Sequence, residues 1–194
     1  MKDAVQKLTV GDGLNEETDI GPLIDQDAVD KVLSHIADAK EKGATVVTGG
    51  KNTDGLFMEP TVLTNVTDEM ACMVEETFGP VAPIATFKEE EEAIERANDS
   101  IYGLAAYVFT KDINQAFRVT EALEYGIVGL NDGGPSAAQA PFGGFKQSGI
   151  VAKVVSKEWK SILKRSMCRL SCKTESLGLS LPRFFYFLLN YFLS

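Results

Sequence analysis

The sequence is poor in the residue types that mark disulfide-rich and metal-binding proteins. It holds three cysteines (Cys72, Cys168 and Cys172), one histidine and one tryptophan among 194 residues. An odd, sparse set of cysteines forms no disulfide framework and indicates a reducing compartment, either cytoplasm or mitochondrial matrix. Cys168 and Cys172 are four residues apart, but without further cysteine or histidine nearby they do not predict a metal site.

Long hydrophobic runs are also missing. The most apolar stretch, residues 184–193, has ten residues of mostly aromatic and aliphatic character, whereas a helix that spans a bilayer needs about 20. The sequence therefore does not predict a membrane span, although contact of this stretch with a membrane surface stays open.

Negative charge predominates, and its distribution divides the chain. The net charge of −9 argues against nucleic acid as a partner of the main body. Residues 1–150 carry 11 Lys and Arg against 26 Asp and Glu, whereas residues 151–194 carry 8 against 2. We therefore predict a folded body over residues 1–150 and a divergent basic and apolar tail over residues 151–194 that lies outside it.

Periodicity predicts an α/β fold. Asp25 or Asp27 can cap a helix that ends near Gly43, and its apolar positions recur at helical spacing: Val29, Val32, Leu33, Ile36 and Ala37. Apolar strands at 81–87, 104–109 and 126–130 alternate with helices at 89–98 and 112–124. Such alternation predicts a largely parallel sheet with flanking helices, in which these three strands are neighbours.

Two segments carry the most specific pattern. Residues 75–81 read Glu-Glu-Thr-Phe-Gly-Pro-Val, and residues 141–149 read Pro-Phe-Gly-Gly-Phe-Lys-Gln-Ser-Gly. In these segments, their order and their separation, the chain resembles the aldehyde dehydrogenase superfamily. Gly-Pro-Leu-Ile at 21–24 and the stretch 42–51 extend the resemblance to about residues 1–149, and its succinate-semialdehyde dehydrogenase branch is the most similar.

The resemblance implies that residues 1–150 are part of a truncated aldehyde dehydrogenase catalytic domain. In the family, the nucleophilic cysteine and the general-base glutamate lie upstream of the matched residues, so no residue here is assigned a catalytic role. A full-length relative attacks an aldehyde with a thiolate, passes hydride to NAD or NADP, and hydrolyses the thioester with a glutamate-activated water. The isolated chain is expected to be inactive.

The same resemblance assigns Glu76 and Phe78 to the cofactor. A carboxylate can accept hydrogen bonds from both ribose hydroxyls, and a ring can pack on the nicotinamide. From spacing alone, the alternative is a surface acid and a core phenylalanine at a turn. Glu75 is expected to be a solvated neighbour.

Ser136 and Phe142 are the candidate substrate residues. In the semialdehyde branch, a serine at the position of Ser136 helps hold the distal carboxylate of the substrate, and Phe142 helps line the substrate end of the tunnel. The alternatives are a turn serine that bonds its own backbone and a phenylalanine that anchors a turn, for which Gly143 and Gly144 supply backbone freedom. Lys146 and Ser148 also match the family pattern, but the sequence assigns no physical role to either side chain.

Two residues outside these motifs invite a functional reading. His35 lies beside the apolar face of the first long helix and is predicted to be structural. Cys72 has no activating base or helix terminus and is predicted to be a packed thiol.

Two functions of different class remain. The chain is either a fragment of an NAD(P)+-dependent enzyme that oxidises a short semialdehyde, or a non-catalytic interaction protein. In the second case its exposed sheet edges and apolar tail would associate with full-length subunits or other apolar surfaces. A homo-oligomer is compatible with either.

Overall fold

A computed structural model describes residues 1–135 and 142–149, together with the backbone of residues 167–170. The chain divides between Thr86 and Phe87 into two units, each with its own core. Each unit combines helices with a sheet, which confirms the predicted α/β class.

The first unit contains three helices and five strands. They are α1 (Lys2–Val5), α2 (Gln26–Glu41), β1 (Thr45–Thr48), β2 (Asn52–Asp54), β3 (Phe57–Met58), β4 (Thr61–Thr64), α3 (Ala71–Val74) and β5 (Val81–Pro83). The main sheet has the order β1-β4-β5, and β2 and β3 form a separate antiparallel hairpin.

Helix α2 forms as the sequence predicts. The Asp25 side chain accepts from the backbone N–H of Ala28 at 2.8 Å, which satisfies one of the free amides of the first turn. Gly43 follows the last turn at φ +100°, a conformation that glycine adopts without steric cost. The buried face packs on β4 and the segment after it, and includes Val29, Val32, His35, Ile36 and Ala39.

Strand β5 does not lie where the sequence placed it. We expected Val81 to begin a strand beside those at 104–109 and 126–130, but β5 pairs in parallel with β4. Periodicity identifies a strand without identifying its neighbour, and the broken stretch around Pro60 concealed β4 as the partner. Pro83 has no N–H to offer a further neighbour, which is consistent with the edge position of β5.

The second unit contains α4 (Glu90–Asn98), β6 (Ala105–Val108), α5 (Ile113–Ala122), β7 (Ile127–Leu130), a short 3₁₀ turn (Lys146–Ser148) and β8 (Met167–Leu170). Strands β6 and β7 are parallel neighbours joined by α5, as predicted. Helix α5 begins where expected, because the Asp112 carboxylate accepts from the amides of Asn114 and Gln115. All four residues of β7 are buried.

Tyr125 lies at the centre of the second core. It is fully buried, and its hydroxyl donates to the backbone oxygen of Ala97 at 2.7 Å. Burial, with a smaller contribution from Glu124, raises the pKa of Tyr125 to about 12. The hydroxyl therefore stays protonated and keeps tying the segment before β7 to the end of α4.

The tail departs from expectation in one place. Residues 151–194 were predicted to lie outside the packed body, yet Met167–Leu170 pair with β7 in parallel, from Ile127 with Met167 to Leu130 with Leu170. Strand β7 would otherwise have one unpaired edge, and its backbone amides and carbonyls gain partners from β8. The other residues after Gly149 lie outside the described residues.

Two truncations test the contribution of β8. A chain that ends at residue 150 lacks it, and a chain that ends at residue 170 retains it. We expect the shorter chain to be less stable to urea by about 2 kcal/mol and more prone to aggregate, because β7 loses its neighbour. Equal stability of the two chains would show that β8 adds nothing to the second unit.

Candidate functional site

The segment that was expected to meet the cofactor belongs to neither a helix nor a strand, and the exposure of its three central side chains alternates. We call residues 75–79 the edge segment; it runs from the end of α3 to the start of β5. Thr77 is buried, whereas Glu76 and Phe78 on either side of it are exposed. Residues 75, 77 and 79 each contact α2, and we call their side the inner side of the segment; Glu76 and Phe78 form the outer side, as alternation along an extended backbone would give.

The inner side of the edge segment meets α2 at His35. The ring is only 2% exposed, so both of its nitrogens need partners. Nδ1 lies 2.7 Å from Thr77 Oγ1, and Nε2 lies 3.3 Å from Glu75 Oε2. A carboxylate can only accept, so Nε2 carries the proton; in a neutral ring, Nδ1 then accepts from the Thr77 hydroxyl.

Gly79 completes this inner contact. A Cβ at this position would lie 2.5 Å from Val32 Cγ2, so only glycine lets the backbone approach α2 this closely. Val32 precedes His35 by one turn on the same helix face. Residues 75, 77 and 79 thus all rest on α2.

The outer side presents a carboxylate and a ring. Glu76 is exposed, and within the described residues no hydrogen bond or ion pair to it is found. Phe78 is 64% exposed, so one face of its ring is open to contact with a ligand. An unengaged acceptor and an open aromatic face on one side suit a ribose and a flat heterocycle.

Glu75 and His35 have contacts that the sequence did not predict. The Glu75 side chain is 59% exposed but also lies 3.7 Å from Lys31 Nζ, so it is engaged rather than merely solvated. His35 is structural, as predicted, and its partners were not identified. The sequence offers no signal for these partners, because hydrophobic patterning would place Phe78 inside and Thr77 outside, the reverse of what is found.

Cys72 is a packed thiol, as predicted. It is 2% exposed, and burial raises its pKa above the usual value. A thiol that resists ionisation is a poor nucleophile.

The loop after β7 begins with a residue that locks two strand ends together. Asn131 adopts φ +54°, and its side chain brackets Thr110: Oδ1 accepts from the Thr110 N–H, and Nδ2 donates to the Thr110 oxygen, both at 2.9 Å. Its own N–H donates to the oxygen of Val108 at 2.8 Å. Asparagine tolerates this left-handed backbone better than most residues.

The loop then turns back over the sheet. The Asp132 carboxylate accepts from the N–H of Gly134 at 3.0 Å, and the backbone oxygen of Asp132 comes so close to Gly129 that a Cβ there would meet it at 2.4 Å. Pro135 is buried. Ser136, the next residue, lies outside the described residues, so its role as a substrate ligand stays a prediction.

Phe142 is half-buried and leads into a tight turn. The backbone oxygen of Gly143 packs on Gly126, where a Cβ would lie 1.9 Å from it. Close approach of two backbones therefore requires a glycine at 126. The turn belongs to the second unit, whereas Glu76 and Phe78 belong to the first.

Lys146 and Ser148, which had no assigned role, fasten this turn to the second unit. Lys146 Nζ donates to the oxygen of Asn98 at 2.6 Å and pairs with Glu124 at 2.9 Å. Ser148 Oγ accepts from the N–H of Gly103 at 3.0 Å. The family-like pattern in this stretch thus has a structural reason.

A series of hydrogen-bonded polar side chains, which we call the polar chain, links α4 and α5 to the residue Thr110 after β6. Glu90 accepts two hydrogen bonds from Arg118, both at 2.9 Å, and one from Gln115 at 3.1 Å. The Arg118 contact holds the pKa of Glu90 below its usual value. Gln115 Oε1 accepts from the Thr110 hydroxyl at 2.7 Å, and Thr110 is the residue that Asn131 brackets.

Metal and membrane features are not found in the part of the chain that the structure describes. No group of three His, Cys, Asp or Glu side chains is placed to hold a metal ion there. Nor is any helix of those residues both long enough and apolar enough for a bilayer crossing.

Comparison with known proteins identifies the family. Residues 1–167 match the model of the aldehyde dehydrogenase family, and the chain therefore belongs to that family. The match extends beyond Gly149, where the sequence reading ended the resemblance.

The similar proteins include several semialdehyde dehydrogenases. The chain is 54% identical over 152 residues to the NADP(+) succinate-semialdehyde dehydrogenase GabD of Escherichia coli, covering 77% of this chain and 32% of that protein. It is 54% identical over 147 residues to glutarate-semialdehyde dehydrogenase of Pseudomonas putida, covering 76% and 31%. The chain thus spans about a third of the length of these relatives.

Solved structures agree with the fold. The crystal structure of succinate-semialdehyde dehydrogenase from Burkholderia pseudomallei aligns with a TM-score of 0.76 at 53% identity, covering 78% of this chain and 32% of that one. Betaine aldehyde dehydrogenase from Staphylococcus aureus, in complex with NAD+, aligns with a TM-score of 0.74 at 48% identity, covering 77% and 31%.

Replacement of Asn131 tests the lock at the strand ends. Asn131→Gly keeps the left-handed backbone and loses the two side-chain hydrogen bonds, whereas Asn131→Ala loses the bonds and also strains the backbone. We expect urea denaturation to show losses of about 1–2 kcal/mol for glycine and about 2–3 kcal/mol for alanine. If alanine is no worse than glycine, the backbone conformation is not the constraint that we describe.

Proposed function

We propose that this chain supplies the cofactor edge and the substrate-facing loop of an NAD(P)+-dependent aldehyde dehydrogenase. The substrate that we propose is a short semialdehyde, with succinic semialdehyde as the first choice. The observation that carries the proposal is the paired exposure of Glu76 and Phe78 on the outer side of the edge segment. A surface acid and a core phenylalanine, the alternative from sequence, would leave Phe78 buried, and it is not.

The roles of the two residues follow from their chemistry. The Glu76 carboxylate accepts hydrogen bonds from the two ribose hydroxyls of the nucleotide, and a charged acceptor makes these bonds stronger than neutral ones. The Phe78 ring packs against the nicotinamide face and keeps water from that side. The bound nicotinamide cofactor supplies the hydride acceptor.

The proposed substrate contacts lie in the loop after β7 and in the turn at Phe142. The Ser136 hydroxyl donates to the distal carboxylate of the semialdehyde, and Phe142 lines the channel around the aliphatic part. The support is the identity of over half to relatives named for succinic and glutaric semialdehydes, together with the fixed start of the loop at Asn131.

The 194-residue chain alone is expected to be inactive. The family resemblance assigns none of its residues as nucleophile or general base, and loss of such groups lowers rates by several orders of magnitude. Incubation with succinic semialdehyde and NAD+ or NADP+ should produce no reduced cofactor above a blank. Turnover that is lost in Cys72→Ala would make that thiol a nucleophile, and turnover that survives replacement of all three cysteines would contradict the site assignment.

A chimera tests the positive part of the proposal. The matched segment of this chain replaces the corresponding segment of Escherichia coli GabD, and the chimera is assayed with succinic semialdehyde. We expect Glu76→Gln to raise the KM for the cofactor by about tenfold, because bonds to a charged acceptor contribute roughly 1.5 kcal/mol or more. Phe78→Ala should raise the same KM by about fivefold to tenfold, because ring packing contributes about 0.5–1.5 kcal/mol beyond the area it buries. Ser136→Ala should raise the KM for the aldehyde by about fivefold.

The two changes at the cofactor edge each have a matched control. Glu41→Gln removes another exposed carboxylate, at the end of α2, and Phe117→Ala removes a ring that is 62% exposed on α5, close to the 64% of Phe78. Both controls should leave the two KM values unchanged. Equal effects of Phe117→Ala and Phe78→Ala would show that loss of any exposed ring disturbs the protein and would contradict the proposed cofactor contact.

A second function has one observation in its favour. Ile113 and Phe117 lie four residues apart on α5 and are 57% and 62% exposed, so they form a small apolar surface on one helix face. We propose, as the alternative, a non-catalytic protein that associates with longer subunits through such surfaces. A chimera that folds and binds cofactor with unchanged affinity in Glu76→Gln and Phe78→Ala would favour this function.

A further inference from the structure

The outer residues of the edge segment are not fixed by polar contacts of their own within the described part of the chain. Glu76 and Phe78 are exposed, and their direction depends on the residues beside them in sequence. An extended segment is held in register by whichever side is buried, and a slip of one residue would turn every side chain to the opposite side. The side that faces α2 therefore decides where the carboxylate and the ring point.

Helix α2 fixes that register at three successive inner positions. Glu75 reaches His35 and Lys31, Thr77 reaches His35, and Gly79 packs on Val32. The Val32 contact depends on shape, and the two His35 contacts depend on hydrogen bonds. His35 bonds two positions of the segment, one on each side of Glu76 along the chain.

The ring of His35 specifies which residue may face it. A buried imidazole with one protonated and one free nitrogen requires one donor and one acceptor. Thr77 supplies the hydroxyl and Glu75 the carboxylate. Phe78 in the place of Thr77 would leave a buried ring nitrogen without a partner, at a cost of roughly 1–3 kcal/mol.

We infer that His35 is a positioning residue for the cofactor edge: its two ring nitrogens hold Thr77 and Glu75 against α2, and this directs Glu76 and Phe78 outward. The inference rests on the proposed function for its consequence in cofactor binding. The effect of His35 on the order of the edge segment is independent of the proposed function and can be measured in the chain without a cofactor.

Three variants separate hydrogen bonding from packing. His35→Leu introduces an apolar side chain of similar size and loses both hydrogen bonds. His35→Gln offers a donor and an acceptor on its side-chain amide, and it should keep much of the order of the edge segment. Thr77→Val keeps the shape of threonine and removes the hydroxyl, so it serves where His35→Leu does not fold. Ser34→Ala, next to His35 on α2, is the matched control, because among the described residues the Ser34 hydroxyl bonds only the Lys31 backbone oxygen of its own helix.

The first measurement uses the whole 194-residue chain. Hydrogen–deuterium exchange of peptides that cover residues 72–80 is compared with peptides that cover residues 26–34. We expect exchange in the first group to rise about tenfold in His35→Leu and Thr77→Val, and to remain near the wild-type rate in His35→Gln and Ser34→Ala. Unchanged exchange of the edge segment in both His35→Leu and Thr77→Val would overturn the inference.

The second measurement uses the active chimera with Escherichia coli GabD. A positioning role predicts that His35→Leu and Thr77→Val raise the KM for NAD(P)+ about fivefold while the KM for the aldehyde changes less than twofold. A general loss of stability would not raise the KM for NAD(P)+ more than the KM for the aldehyde. Rescue of the cofactor KM by His35→Gln supports the role, and a cofactor KM unchanged in His35→Leu, when Glu76→Gln raises it, overturns it.

The two measurements distinguish failure of the inference from failure of the proposed function. If the edge segment loosens in His35→Leu but Glu76→Gln leaves cofactor binding unchanged, the positioning holds and the cofactor assignment is wrong. If Glu76→Gln weakens cofactor binding but His35→Leu changes neither exchange nor KM, the cofactor assignment holds and the positioning is wrong.

Discussion

The buried contact between His35 and Thr77 is the constraint on which the first unit's candidate site depends. It joins a helix of the core to the short segment between α3 and β5, which belongs to neither a helix nor a strand. A buried hydrogen bond of this kind adds modestly to stability, but breaking it leaves an unsatisfied polar group, and that asymmetry makes it a strong determinant of conformation. The outward direction of Glu76 and Phe78 follows from it.

The second unit uses a different device for a similar purpose. Asn131 bonds the backbone of Thr110, and Thr110 in turn reaches the polar chain through Gln115 to Glu90 and Arg118. The carboxyl ends of β6 and β7 are thereby tied together, at the sheet edge where α/β proteins place their ligand loops. A loop with a fixed first residue can present a side chain such as Ser136 with less loss of conformational freedom on binding.

The sequence predicted the local elements better than their partners. Helix α2 could be predicted from Asp25, Gly43 and the spacing of Val29, Val32 and Ile36, because capping and periodicity are local properties. The pairing of β5 with β4, and of β8 with β7, could not, since strand partners depend on contacts distant in sequence. The candidate residues came from motif resemblance, and their anchors, His35 and Asn131, were hidden because each acts through a residue far away in the chain.

The anchors explain why the motif contains more than its proposed ligand-binding residues. In residues 75–79, Glu75, Thr77 and Gly79 each contact α2, whereas Glu76 and Phe78 are exposed on the other side. In the turn after Phe142, Lys146 and Ser148 bond Asn98 and Gly103. A carboxylate, a hydroxyl and a close backbone contact are different chemical requirements, and a substitution at an inner position disturbs the direction of its neighbours without touching any ligand. Resemblance in such a segment therefore reports a shared scaffold as much as a shared chemistry.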